Sequence, residues 1–247
     1  MNIDADVPGA PAPPPGPASV WARPQRRQKE QLTRERIVAE AVRLLDEEGL
    51  EALSMRTLGQ RLGAGATSLY RHVATKDELM ELAVDEVVAE ISVPPADSPD
   101  WRSAAAETAR SFRATALRHP WVASVLGQAG LAYLGPNLMS LSERLAALFI
   151  AAGFPDPSGA IDVVLSYVIG MSTTEAAWLT TVARSGQTEA EFIAALMPAA
   201  QQAAAGYDNL AEAYAAPPAV DPAGLRDAKF ANGLEVVLDG LALRLAR

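Results

Sequence analysis

The stretch SMRTLGQRLGAGATSLYRHV, residues 54–73, decides the fold because it combines two short apolar patterns with an intervening run of glycines. Ser54 is a favourable N-cap for a first helix over 54–62, and a second short helix is predicted over 66–73. Gly63 and Gly65 bracket a tight connection, in which Gly63 can adopt a left-handed conformation. The pattern predicts two short helices that cross.

The inward faces of the two helices are unequal. The first helix carries Met55, Leu58 and Leu62, whereas the second offers a core only Leu69 and Val73. A glycine inside a helix costs roughly 1 kcal/mol relative to alanine. We therefore expect Gly59 to be there because the two helix axes approach closely.

The outer face of the second helix is polar, which favours an external polar partner. Two short helices with a glycine-containing turn, and a third helix beneath, form a helix-turn-helix, and a major groove admits one such helix. We predict that Thr67, Ser68 and Tyr70 contact phosphates, base edges or thymine methyls. The predicted phosphate-side and helix-opening residues are His72, Lys76, Ser54, Arg56 and Thr57.

Each of these residues also has a purely structural interpretation. Tyr70 could pack against the preceding long helix, and His72 could be a buried hydrogen-bonding group. Lys76 could be an ordinary solvated charge at a helix start. The cluster taken together favours DNA more than any single member does.

Charge is distributed unevenly along the 247 residues. The net charge is −9, but residues 19–76 hold 11 positive and 7 negative charges, giving 11 − 7 = +4. The remainder is strongly acidic. An acidic body with a basic head indicates that a polyanion binds at the basic end. An ordinary solvated surface would also explain this charge distribution.

The rest of the chain is predicted to be helical, so the fold class is all-α. Residues 1–30 are rich in Pro and Ala and predict a disordered tail, which is either solubilising or an arm on DNA. Residues 31–78 are expected to form the DNA-binding domain and 79–247 an effector-binding and dimerisation domain. Predicted helices cover 34–48, 76–91, 101–118, 121–127, 136–152, 158–183, 188–204 and 224–245.

Several classes of site are excluded or unsupported by composition. The absence of cysteine excludes disulfides and thiolate metal sites, and the two histidines are far apart. We predict no catalytic residues, no metal and no cofactor. The N-terminus has no signal peptide pattern and no apolar run could span a bilayer, so a cytoplasmic protein without membrane contact is expected.

The segment ERIVAEAVRLLDEEGLEALSMRTLGQRLGAGATSLYRHVATKDELMELAVDEV resembles the DNA-binding domain of the tetracycline-repressor (TetR) family of bacterial regulators. RHPW (118–121) and NGLEVVLDGL (232–241) resemble the effector-binding domain of its tetracycline-repressor branch. The resemblance implies that Arg56 reads bases, that the recognition helix carries Thr67, Ser68 and Tyr70, and that His72 and Lys76 contact phosphates. Ala66 and Arg71 depart from the tetracycline repressor, which has a long amide and an aromatic there.

The resemblance also implies a homodimer that is held together by a four-helix interface. This dimer would read a palindromic operator. The predicted interface comprises apolar stripes on 158–183 and 224–245: Ile161, Leu165, Val168, Ala176, Leu179, Phe230, Leu234, Val237, Leu241 and Leu245. Gly233 and Gly240 would allow another helix to approach closely. Both stripes could instead be core within one chain.

Between these helices we predict a cavity for a small, fairly apolar effector. Its candidate lining is Arg113, His119, Tyr133, Asn137, Met139, Phe149, Tyr167, Met171 and Trp178, although such residues are more often plain core. Binding there would shift helix 76–91 like a lever and lower DNA affinity. The alternatives are an enzyme, for which no catalytic motif is present, and an acidic helical small-molecule-binding protein without DNA-binding activity.

Overall fold

The computed structural model describes residues 31–98, 100–129, 134–215 and 221–245, and in these ranges every regular element is helical. The α-helices are α1 Arg34–Glu48, α2 Met55–Arg61, α3 Ala66–Leu69, α4 Lys76–Val88, α5 Trp101–Arg118, α6 Pro120–Ala129, α7 Pro136–Ala151, α8 Pro157–Ser185, α9 Glu189–Ala204, α10 Asp208–Ala215 and α11 Pro222–Leu245. A 3₁₀ turn covers Leu50–Ala52. The all-α prediction is confirmed. The predicted tail, 1–30, lies outside the described residues.

Helix α1 forms the base of the head, which consists of α1 to α4. Its side chains Ile37, Ala41 and Leu44 are fully buried, and α4 packs against it. The Thr33 hydroxyl caps its first turn by accepting from the Arg36 amide at 3.3 Å. Gly49 ends the helix with φ +82°, a conformation that L side chains rarely adopt.

Helix α8 is the central element of the body, which consists of α5 to α11. It packs against α5, α6, α7, α9 and α11. One side of the core is aromatic, where the Trp101 and Phe149 rings both contact Phe154 edge-on, at centroid distances of 4.9 and 5.1 Å. None of the helices in the described part of the chain is long and apolar enough to cross a membrane.

Helices α3 and α10 differ most from the sequence prediction, and α4 ends at Val88 and not at residue 91. Helix α3 ends at Leu69 and continues as turns over 70–72, whereas a helix was predicted to Val73. Helix α10 was not predicted, because it buries no residue and therefore lacks the apolar periodicity that marks a core-facing helix.

Candidate nucleic-acid interface and effector cavity

The turn between α2 and α3 is fixed by glycine. Gly63 has φ +58°, and the Ala64 amide donates to the Gly59 carbonyl at 2.8 Å. A Cβ on Gly59 would lie 2.8 Å from the Ala64 carbonyl oxygen and 3.5 Å from Leu69 Cδ1. The close approach expected at Gly59 is therefore present. Leu58 and Leu69 are fully buried at the crossing, and Leu62 is half-buried.

The outer side of α3 and the turns that follow it is open to solvent. Tyr70 is 52% exposed, Thr67 is also exposed, and Ser68 and Ala66 are half-buried. Packing of Tyr70 into the protein and burial of His72 are both wrong as interpretations, since both side chains are exposed. The face that the sequence assigned to a polar partner is uncovered in the described part of the chain.

The start of α2 is capped by its own side chains. The Ser54 hydroxyl accepts from the Thr57 amide at 3.0 Å, and the two hydroxyl oxygens are 2.8 Å apart. Arg56 follows the cap and is exposed. The cap therefore sets the direction in which Arg56 leaves the helix.

Cations of the head fall into two groups. Arg34, Arg43 and Arg61 each pair with a glutamate, and the bonds from Arg61 to Glu47 and Glu48 raise its pKa above the ordinary value. In contrast, Arg56, Arg71 and Lys76 are exposed and make no ion pair with any carboxylate that the structure describes.

Lys76 is held at the first residue of α4 by a specific cap. The Thr75 hydroxyl accepts from the Glu78 amide at 3.0 Å, while the Glu78 carboxylate accepts from the Ala74 amide at 2.6 Å. A standard capping box would use the Thr75 amide instead, so the carboxylate reaches one residue further back. Glu78 also pairs with Arg34 at 2.6 Å, which ties the start of α4 to the start of α1.

A cavity of about 480 Å³ lies between helices α8, α9, α10 and α11. Met171 and Trp178, two of the predicted pocket residues, line it. The remaining lining residues are Thr174, Glu175, Glu189, Ile193, Met197, Ala213, Tyr214, Pro222, Leu225, Arg226 and Lys229. Along α8, α9 and α11 the lining residues recur every three or four positions, so each helix contributes one face. Which helix faces meet around the cavity depends on the tertiary fold, and the sequence did not reveal it.

One wall of the cavity is an ion network. Glu175, 8% exposed, accepts two bonds from Arg113 at 2.7 Å and one from Arg226 at 3.0 Å. Burial opposes the charged form of Glu175, yet the hydrogen bonds from both arginines outweigh it and lower its pKa. Trp178 donates to Glu189 at 2.6 Å, and Glu189 also pairs with Arg226. The other lining residues are mostly apolar, with Thr174, Tyr214 and Lys229 as the polar exceptions.

The remaining predicted pocket residues lie elsewhere. Phe149 is fully buried in the aromatic core, and Met139 is 42% exposed on α7. Tyr167 donates its hydroxyl hydrogen to the Phe230 carbonyl at 2.7 Å and does not line the cavity. Arg113 does not line the cavity, but it donates to Glu175, which does. Tyr133 lies outside the described residues.

His119 and Asn137 join the head to the body instead of lining the cavity. Nδ1 of His119 lies 2.8 Å from Asp46 of α1, and its Nε2 lies 3.3 Å from Glu90, just beyond α4. Asn137 donates to Asp85 of α4 at 3.0 Å. Their packing against acidic residues of distant segments could not be read from local sequence.

The predicted subunit interface needs a correction. Val168, Ala176, Phe230, Leu234 and Leu241 are at most 8% exposed, because α8 and α11 pack against each other within the chain. Half-buried members of the same set are Ile161, Leu165, Leu179, Val237 and Leu245. The close approach at Gly233 is made by Tyr167 of the same chain, whose ring carbons would lie 2.9 Å from an added Cβ, whereas Gly240 has nothing within 4 Å.

A different apolar stripe is open to solvent. It runs along α11 through Val236, Gly240 and Leu243, with Val236 71% and Leu243 69% exposed. Val163 of α8 is 48% exposed and lines the same groove of about 770 Å³ as Val236. The exposed faces of α8 and α11 thus carry small and apolar residues next to each other.

Family models match most of the chain. Residues 37–83 match the model of bacterial regulatory proteins of the tetR family, and residues 93–245 match the tetracyclin repressor-like C-terminal domain. An HTH-type transcriptional regulator from Saccharopolyspora erythraea is 38% identical over 92% of this chain and 92% of its own length. The HTH-type transcriptional repressor DrrR1 of Streptomyces coeruleorubidus is 36% identical, over 91% and 83% respectively.

Among solved structures, the TetR family protein ActR of Streptomyces coelicolor in complex with actinorhodin has a TM-score of 0.70. It is 32% identical and the match covers 88% of this chain and all of ActR. The family models, the fold and the exposed helix-turn-helix therefore indicate the same family. The chain belongs to the tetracycline-repressor (TetR) family and is a DNA-binding transcriptional regulator, not an enzyme.

Proposed function

We propose that this regulator is a repressor that binds a palindromic operator as a homodimer and leaves it when a small, fairly apolar effector binds. The observation that carries the proposal is the uncovered polar face of α3 beside Arg56, Arg71 and Lys76, which pair with no carboxylate in the described part of the chain. In this proposal residues 31–78 bind DNA and residues 79–247 bind the effector and the second subunit. The protein acts in the cytoplasm, where bacterial DNA lies.

In the proposed DNA complex, Thr67, Ser68 and Tyr70 enter the major groove with Ala66 leading. Arg56 also reads bases. The backbone contacts come from Ser54, Thr57, Arg71, His72 and Lys76. This division is supported by the exposure of Tyr70 and by the Thr75 cap, which holds Lys76 at the helix terminus where amide donors also face an anion.

A selection of bound sequences from random duplexes, followed by titration at several salt concentrations, tests DNA recognition. A repressor dimer should recover an inverted repeat and bind it roughly 10³-fold or more tightly than random DNA. The logarithm of affinity should fall linearly with the logarithm of salt. An acidic ligand-binding protein or an enzyme would recover no motif, and that result would remove the proposal.

The second subunit is proposed to pack on the stripe of Val236, Gly240 and Leu243 together with Val163. Large exposed apolar patches mark contact sites, and two copies of α8 and α11 would there form a four-helix interface about a two-fold axis. Sedimentation of Val236→Glu tests it, and monomers are expected. Leu210→Glu places the same charge at an exposed leucine on α10 and should remain dimeric.

The effector is proposed to bind in the cavity between α8, α9, α10 and α11. Support comes from its volume, its apolar lining by Met171, Trp178 and Met197, and the family likeness to ActR, whose structure contains actinorhodin. Because Glu175, Glu189 and Arg226 satisfy one another, the wall offers few unpaired groups to a ligand. A ligand would therefore be held mainly by apolar contact.

Two fluorescent probes with the same skeleton test the cavity. N-phenyl-1-naphthylamine is neutral, and 8-anilinonaphthalene-1-sulfonate adds one negative charge. We expect the neutral probe to bind and Trp178→Ala to weaken it by about tenfold or more, as loss of a large aromatic contact implies. Tyr207→Ala, at an exposed tyrosine outside the cavity, is the control. Equal binding by both variants would place the ligand elsewhere.

A further inference from the structure

We propose that Asp85 is a positioning residue that makes α4 and α7 move as one body, and so carries movement of the body to the recognition helix. This inference rests on the proposed function, because it concerns how the effector reaches the DNA-binding head. It depends on a buried hydrogen-bond cluster that lies outside both the DNA face and the cavity.

Asp85 of α4 caps α7 across the tertiary contact. Its Oδ1 accepts from the backbone amides of Asn137 and Leu138 at 3.0 and 2.9 Å. Its Oδ2 and its own carbonyl oxygen accept from Asn137 Nδ2 at 3.0 and 3.2 Å. Gly135, the residue that precedes α7, has no side chain to cap that helix. The first-turn amides of α7 therefore obtain their acceptor from another helix.

The tie between α4 and α7, meaning the hydrogen bonds from Asn137 and Leu138 to Asp85, is expected to be rigid. Asp85 is only 8% exposed, and a buried carboxylate that loses its donors is strongly disfavoured. Its neighbours Val84 and Val88 on α4 are buried as well. One turn earlier, Glu81 accepts from the Leu134 amide at 3.1 Å. Rotating or sliding α4 without moving the start of α7 would break these bonds together.

The tie lies on a continuous path between the two proposed sites. Helix α8 lines the cavity with Met171 and Trp178, and α7 packs against both α8 and α4. Asp85 is nine residues from Lys76, which is about 14 Å along the axis of α4 at 1.5 Å per residue. Displacement of α7 is therefore delivered to the end of α4 that adjoins α3.

Gly135 provides a way to disturb the tie without any effector. A Cβ at Gly135 would lie 2.7 Å from Asp85 Cβ and still closer to its carboxylate. The backbone of Gly135, at φ −60°, accepts alanine without strain. Gly135→Ala therefore pushes α7 and α4 apart at this one contact. Asp85→Gly removes both the Cβ and the carboxylate that the new methyl group would meet.

The experiment measures the affinity of full-length variants for the operator fragment recovered by selection and for a duplex carrying one half-site. Gly135→Ala should weaken the full operator by about tenfold or more, within the usual range of coupling between sites. Its half-site affinity should stay within about threefold of wild type, because α3 itself is intact. Asp85→Gly with Gly135→Ala should match Asp85→Gly alone and regain full-operator affinity.

A second measurement covers the case in which Gly135→Ala does not fold. Hydrogen exchange at the Asn137 and Leu138 amides should slow on operator binding in the wild-type protein and should not change in Asp85→Ala. Three results would each overturn the proposed role of Asp85. They are equal hydrogen exchange in the two proteins, an unchanged affinity of Gly135→Ala for the full operator, and no recovery of that affinity in the double variant. Wild-type protein that selects no sequence would overturn the proposed function, and the relay with it.

Discussion

Asp46 in the last turn of α1 and His119 at the end of α5 lie in hydrogen-bond contact, with 2.8 Å between Oδ1 and Nδ1. The same oxygen accepts from Nε1 of Trp121 at 2.7 Å. His119 and Trp121 are buried, so the acidic side chain of the head serves two buried polar groups of the body. His119, which the sequence analysis assigned to the effector cavity, is thus part of the head–body joint together with Trp121.

Asp46→Ala is expected to lower the free energy of unfolding by about 1–3 kcal/mol for each buried donor left without an acceptor. Urea denaturation at one fixed protein concentration measures the change, because subunit association also contributes to stability. Asp97→Ala, at an exposed aspartate in the loop before α5, is the control and should stay within about 0.5 kcal/mol of wild type. Equal stability of the two variants would contradict the joint.

Tyr70→Ala should reduce the preference for the operator over random DNA by roughly tenfold or more, the range expected for a lost base contact. Random-duplex affinity should change little, because Tyr70 is uncharged. Competition binding at constant salt gives both values. A parallel loss on operator and random DNA would assign Tyr70 to the backbone instead.

Lys76→Ala should weaken all sequences alike, since a phosphate contact carries no base information. The slope of log affinity against log salt should become shallower by about 1 per subunit. Lys229→Ala removes the same charge from the cavity wall and should leave that slope unchanged. A change in sequence preference without a change in slope would refute the assignment of Lys76.

Glu175→Gln should destabilise the body at neutral pH, because Arg113 and Arg226 would lose their shared carboxylate. The pKa of Glu175 is lowered in the folded protein, so its stabilisation is fully present above its ordinary value of 4.5 and is lost as pH falls through the folded value. The stability difference between wild type and variant should therefore shrink below about pH 4.5. A difference that is constant with pH would show that charge is not what Glu175 contributes.

The head was predictable because its information is local. Thr33, Ser54 and Thr75 cap the helices that the sequence assigned to them, and the apolar face of α1 is buried as its spacing indicated. The glycine turn also follows from residues within a few positions of each other. The lengths of α3 and α4 were overestimated, since Tyr70, Arg71 and His72 form turns and α4 ends at Val88 and not at residue 91.

The body was less predictable because its sites depend on which helix faces meet. An apolar stripe on α8 has the same appearance whether its partner is α11 of the same chain or of another subunit. Tyr167 decides the matter by crossing to Phe230 at Gly233, which closes that face within the chain. Likewise, Phe149 and Met171 are both large apolar residues of predicted helices, but one is core and the other lines the cavity.

The pairing of Arg34, Arg43 and Arg61 with glutamates of the head has a consequence for how the protein searches a chromosome. Arg56, Arg71 and Lys76 from two subunits would neutralise about six phosphates, which limits the salt slope to roughly −5 from the described residues. With these six cations alone, the regulator would adhere weakly to unrelated sequence and dissociate from it quickly. Its occupancy of a promoter would then depend less on intracellular potassium than that of a more basic repressor, and more on the fit of Tyr70 and its neighbours.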